Sequence, residues 1–130
     1  MDTQTSPPIQ GSAASRRPIL VVDDEPAIVV MLQDVLEDAG YAVMTASNGR
    51  AALVIAQHSA LGLVFSDVMM PQMDGDTLCQ ALRADPRTAH LPIILMSAAR
   101  RPPPACAATA LLSKPFDIEV VLALVQRHYP

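Results

Sequence analysis

The chain has 130 residues, a formal net charge of −4 and 51% hydrophobic content, enough for one domain with one core. An acidic balance with no basic stripe argues against an electrostatic nucleic-acid surface, since neutralising phosphates takes clustered Lys and Arg. No apolar run reaches the roughly 18 residues of a membrane span, and the N-terminus has no signal-type hydrophobic stretch, so a cytoplasmic protein is expected.

Residues 1–17 are Ser, Thr, Gln, Pro and Ala without periodicity, too polar to offset their ordering entropy, and are expected to form a disordered tail. The single domain is expected over 18–130. Its first strand is Ile19 to Val22, and it runs into the acids Asp23, Asp24 and Glu25. Pro26 suits the first turn of a helix, where its missing N–H costs nothing. Ile28, Val29, Met31, Leu32, Val35, Leu36 and Ala39 then recur at helical spacing until Gly40 stops them.

Residues 41–46 read as the second strand, and Asn48 starts a second helix. The run from Leu61 to Phe65 reads as a strand buried on both faces, followed by Ser66 and Asp67. A lone Asp after a strand also caps turns, so Asp67 gains meaning only from its company. A third helix is expected over about 74–84, a fourth strand over 92–96 leading to Ser97, and a fifth around Leu111 and Leu112. A last amphipathic helix is expected over 116–128. With 3% aromatic residues, the core must be built from Val, Leu, Ile, Ala and Met. Cys79 and Cys106 stand far apart without metal or redox spacing and are read as reduced, partly buried thiols.

Alternation of strand and helix implies an α/β fold: a doubly wound five-stranded parallel sheet with right-handed crossovers and helices on both faces. In such a sheet every strand points the same way. Asp23 and Asp24 after strand one, Asp67 after strand three, Ser97 after strand four and Lys114 after strand five must then meet at one edge, where these sheets bind ligands. Lys114 is the sole lysine among eight arginines, so a compact ammonium is wanted there rather than a planar fork.

Clustered carboxylates repel one another, and a hard cation such as Mg²⁺ relieves the repulsion while leaving room for phosphate oxygens. With a cation, an amine and a hydroxyl around one carboxylate, the parts suit phosphoryl transfer to that carboxylate. Asp67 is the expected nucleophile and Asp24 the chief metal ligand. His58, His90 and His128 are scattered and read as surface residues.

The segments VVDDEP (21–26), SDVMMPQMDG (66–75), LPIILMSA (91–98) and SKPF (113–116), in this order, resemble the receiver domain of two-component response regulators, a CheY-like family. The resemblance implies the flavodoxin-like strand order 2-1-3-4-5. It implies that Asp67 takes a phosphoryl group from a histidine kinase or a histidine phosphotransfer protein. It further implies Mg²⁺ held by Asp24, Asp67 and the Met69 carbonyl with Asp23 acting through water, a phosphoryl contact from Ser97 and another from Lys114, and a cis Lys114–Pro115 bond.

The chain departs from the family in two places. Leu111 stands where an aromatic switch residue is usual, three before the lysine. The segment 100–108, RRPPPACAA, is too short and too proline-rich for the usual crossover helix between strands four and five, so that helix is expected to be shortened to at most one turn or missing. Met69 and Ala99 flank the path of a hydrolytic water without being able to orient it, which points to a modest rate of phosphoryl loss. Beside the phosphorylated signalling domain, not itself an enzyme, stand a phosphate-independent adaptor and, further off, a small Mg²⁺ phosphohydrolase. A downstream protein partner and a monomer or weak dimer complete the expectation.

Overall fold

The computed structural model describes residues 17–98 and 106–130. Five strands alternate with four helices among them: β1 Ile19–Val22, α1 Pro26–Asp38, β2 Val43–Ala46, α2 Gly49–His58, β3 Leu63–Asp67, α3 Gly75–Ala84, β4 Ile93–Ala98, β5 Ala110–Lys114 and α4 Ile118–His128. The sheet is parallel throughout and ordered β2-β1-β3-β4-β5. This is the doubly wound α/β fold expected.

Local chemistry sets the element ends. Pro26 opens α1, and Gly40 ends it in the left-handed region at φ +97°, open to glycine without strain. Asn48 caps α2 by accepting from the Ala51 N–H, and Asp74 caps α3 by accepting from Thr77 N–H, each at 2.8 Å.

Successive strand residues face opposite sides, so the buried strands feed two cores. On one side Leu20, Val22, Val64, Ile93 and Leu95 meet Ala52, Ala56, Leu78 and Leu82 from α2 and α3. On the other, Ile19, Val21, Leu63, Phe65, Ile94 and Met96 meet Leu32, Leu36, Val121 and Val125 from α1 and α4. Aliphatic side chains dominate both, with Phe65 the one fully buried aromatic ring among the described residues.

Several boundaries differ from expectation. β2 begins at Val43, because Tyr41 turns back, its N–H donating to Leu36 O at 3.0 Å, and its ring meets Tyr129 edge to face at 5.0 Å. β3 begins at Leu63 and includes Asp67, so the carboxylate closes the strand instead of following it. Arg17, counted with the tail, is fixed by its carbonyl, which accepts from the Tyr129 hydroxyl at 2.6 Å. The rest of that expected tail, 1–16, lies outside the described residues. β4 is followed by no helix among the described residues before β5; of the segment expected to lack its crossover helix, 99–105 lie outside them and 106–109 are non-helical.

The reading of two reduced thiols is overturned. Cys79 and Cys106 are joined in a disulfide, with Cα atoms 6.0 Å apart. Separation in sequence hid the pair. Cys79 points from α3 into the core, and the chain entering β5 passes over it.

Candidate functional site

Four strand ends build the site. Asp23 directly follows β1 and is almost fully buried, its N–H donating to Ala46 O at 3.2 Å across to β2. Asp24 is exposed beside it, and Asp67 is buried at the end of β3. One oxygen from each of the three carboxylates lies within 4.8 Å of the others. From β5, the Lys114 Nζ reaches Asp23 Oδ2 at 3.0 Å, Asp67 Oδ1 at 3.1 Å and Glu25 Oε1 at 3.1 Å. The Lys114–Pro115 bond is cis, as the resemblance implied.

Ser97 lies on β4 one residue past Met96, the register partner of Asp67, and is partly buried. Met69 stands two residues past Asp67 in an exposed turn, the residue 56% accessible. All the expected site residues that come from strand ends therefore sit on one edge of the sheet. Ala99 lies outside the described residues.

Burial and the neighbouring Asp23 charge push the Asp67 carboxyl above its ordinary value, outweighing the pull of Lys114 in the other direction. Burial also opposes the Lys114 charge, yet hydrogen bonds to Asp23, Glu25 and Asp67 hold the ammonium above its ordinary value. The edge is thus short of positive charge. Three hard carboxylate oxygens converging on one point, with the Asp67 carboxyl discouraged from ionising, are what a divalent cation with oxygen preference fits.

Two contributors went unnoticed in the sequence. Glu25 was seen only as part of an acidic run, but it is the third partner of Lys114, and its own N–H donates to Asp23 Oδ1 at 2.9 Å. Its place two residues past Asp23, facing a site with a lone lysine, was the available signal. Gly75 begins α3 against the turn after Asp67: its N–H donates to Val68 O at 2.8 Å, and a Cβ there would collide with the Asp67 carbonyl. Only glycine lets the helix approach so closely.

With this geometry in view, the comparison with known proteins is decisive. Residues 19–126 match the family described as the response regulator receiver domain. The chain belongs to that family. This receiver is 38% identical over 113 residues to the DNA-binding dual master transcriptional regulator RpaA of Synechocystis, covering 83% of the chain but only 47% of that regulator. The chain spans about half the length of that curated relative.

Among solved structures the receiver is similar to the chemotaxis protein CheY4 of Vibrio cholerae, with a TM-score of 0.80, 36% identity and coverage of 88% of this chain and 99% of that one. It shares its fold with the receiver domain of the sensor histidine kinase PA1611 of Pseudomonas aeruginosa, at a TM-score of 0.82 and 24% identity, covering 88% and 98% of the two chains. That domain has a magnesium ion coordinated in its active-site cleft. A receiver is a signalling domain of two-component systems and not a classical enzyme. No helix among the described residues is long and apolar enough to cross a membrane.

Proposed function

We propose that Asp67 is the phosphoacceptor of this receiver, taking a phosphoryl group from a phosphohistidine on a histidine kinase or histidine phosphotransfer protein and thereby changing which downstream protein the domain binds. The observation that carries this reading is the Lys114 ammonium shared between Asp23 and Asp67 beside the third carboxylate, Asp24. An Asp67 oxygen attacks phosphorus in line as the P–N bond breaks, and the electron pair leaves with the imidazole. Lys114 is already in contact with the attacking carboxylate and follows the negative charge onto the phosphoryl oxygens. Ser97 donates its hydroxyl to one of those oxygens once they arrive.

Asp24, Asp67 and the Met69 carbonyl would hold Mg²⁺, with Asp23 acting through water, and the ion supplies charge neutralisation on the phosphoryl group when bound. A hollow of about 580 Å³ opens beside the acids between α1 and α2, lined by Asp23, Asp24, Val29, Gln33 and Thr45, and offers room for the donor's imidazole to approach. The domain, taken as 18–130, would act in the cytoplasm as a monomer or weak dimer. Its exposed Met69, unable to orient a hydrolytic water, supports a modest rate of phosphoryl loss.

The test is to incubate the protein with Mg²⁺ and acetyl phosphate and to locate the added mass. Addition on Asp67, absent in Asp67→Ala, is the expected result. Addition elsewhere, or persistence in that variant, would remove the proposal.

One observation favours a phosphate-independent adaptor. Leu111, which replaces the usual aromatic switch residue, is 55% exposed, so the apolar surface is already on display before any phosphorylation. That reading expects the same partner affinity with and without the phosphodonor.

A further inference from the structure

The chain entering β5, residues 106–109, is held by α3. Asp76, Cys79 and Arg83 lie three and four residues apart on one helix face, and each grips residues 106–109. Asp76 Oδ1 accepts from the Cys106 N–H at 2.8 Å, and Cys79 is bonded to Cys106. Arg83 donates to Ala107 O at 3.2 Å and to Thr109 Oγ1 at 3.3 Å, while its Nη1 reaches Ala89 O at 3.0 Å and Leu91 O at 2.6 Å. Of these grips only the disulfide responds to thiols.

The two sulfurs differ in access. Cys79 is fully buried, whereas Cys106 is partly exposed and lines an open hollow of about 560 Å³ with Gln80, Arg83, Ala84 and Ala107. A reagent therefore meets Cys106 first.

We propose that Cys79–Cys106 is a reversible redox site which, by opening and closing, sets how firmly residues 106–109 are docked on α3. A thiolate of a dithiol reductant attacks the Cys106 sulfur, the S–S bond breaks, and Cys79 leaves as a thiolate that takes up a proton. The reductant's second thiolate then attacks its own mixed-disulfide sulfur and releases Cys106, which is protonated in turn. Two electrons and two protons have passed to the pair, and the reductant has become a cyclic disulfide; a glutathione-type disulfide reverses the exchange. The consequence reaches the phosphoryl edge from two sides. α3 starts against the Asp67 turn at Gly75, and the docked residues lead into the strand carrying Lys114, which pairs with the strand carrying Ser97.

The experiment poises the full chain in glutathione buffers from oxidising to reducing, counts free thiols by alkylation and mass, and follows amide hydrogen exchange. Reversible opening within the accessible range is expected, with the 106–109 amides exchanging roughly tenfold or more faster in the reduced form while β1 and β3 are unchanged. Cys106→Ser, which leaves the buried Cys79 in place, should show the fast exchange under both conditions. A pair that stays closed throughout, or opens with no change in exchange, would overturn the proposal. A last readout rests on the Asp67 reading: the lifetime of the acetyl-phosphate-modified protein should differ between redox states. Failure to modify Asp67 in either state would count against that reading alone, because the thiol and exchange results are obtained without a phosphodonor.

Discussion

The two faces of the sheet solve the same problem in different ways. The face covered by α1 and α4 is sealed chiefly by apolar packing, with Leu32, Leu36, Val121 and Val125 against Phe65, Ile94 and Met96. The face covered by α2 and α3 has no further helix between β4 and β5 among the described residues, and there Asp76, Cys79 and Arg83 fasten the chain by a hydrogen bond, a covalent bond and a guanidinium fork. Where the described residues supply no helix, a few directional contacts hold the chain. Packing is distributed over many atoms and resists local change, whereas a handful of specific bonds can be cut one at a time.

The largest effect should come from the packed face. Phe65→Ala removes the largest fully buried side chain and should lower unfolding free energy by about 3–5 kcal/mol, measured by urea titration. A loss under about 1 kcal/mol would mean that this face is not held by close packing.

Opening the disulfide on the other face comes next. Its two cysteines are 27 residues apart, and releasing that loop in the unfolded chain should cost about 2–4 kcal/mol, read as a lower urea midpoint under dithiothreitol. Equal midpoints with and without the reductant would show that the bond adds nothing to the fold.

Arg83→Met should follow at about 1–3 kcal/mol, because it removes charge-assisted hydrogen bonds to the partly buried Leu91 carbonyl and to Ala107 O. Hydrogen exchange should localise the loss to 106–109 and leave the α1 and α4 face intact. Faster exchange on both faces would erase the contrast between them.

The smallest change is a gain at the edge the two faces share. Burial and Asp23 raise the Asp67 carboxyl in the folded state, so between its unfolded and folded values the native protein holds more protons, and stability without divalent cation falls as pH rises through the carboxylate range. Asp67→Asn removes that slope and should stabilise the metal-free protein by about 1 kcal/mol at neutral pH. Midpoints measured in a chelator at several pH values check the sign; a destabilised variant would refute it.

Much of the acidic edge is legible in the sequence. Once the apolar runs were recognised as parallel strands, Asp23, Asp24, Asp67, Ser97 and Lys114 had to meet, because parallel strands deliver all their carboxyl ends to one edge. Asn48 and Asp74 announced their helices by side chains that bind the first free N–H groups. Glu25 was visible as an acid but not as a partner of Lys114, since 89 residues separate the two. Nothing in the sequence around Arg83 marks it as a clamp on residues 24 and 26 positions further along the chain.

Sequence alone determined what depends on neighbours along the chain: the periodicity that makes each strand and helix, the caps and prolines that end them, and the order in which charged residues follow strands. Tertiary structure decided which distant groups touch. Cys79 meets Cys106, Arg83 spans two loops and Gly75 gives way to the Asp67 carbonyl because α3 packs where it does. Contacts of that kind are set by the packing of whole elements, which no local spacing encodes.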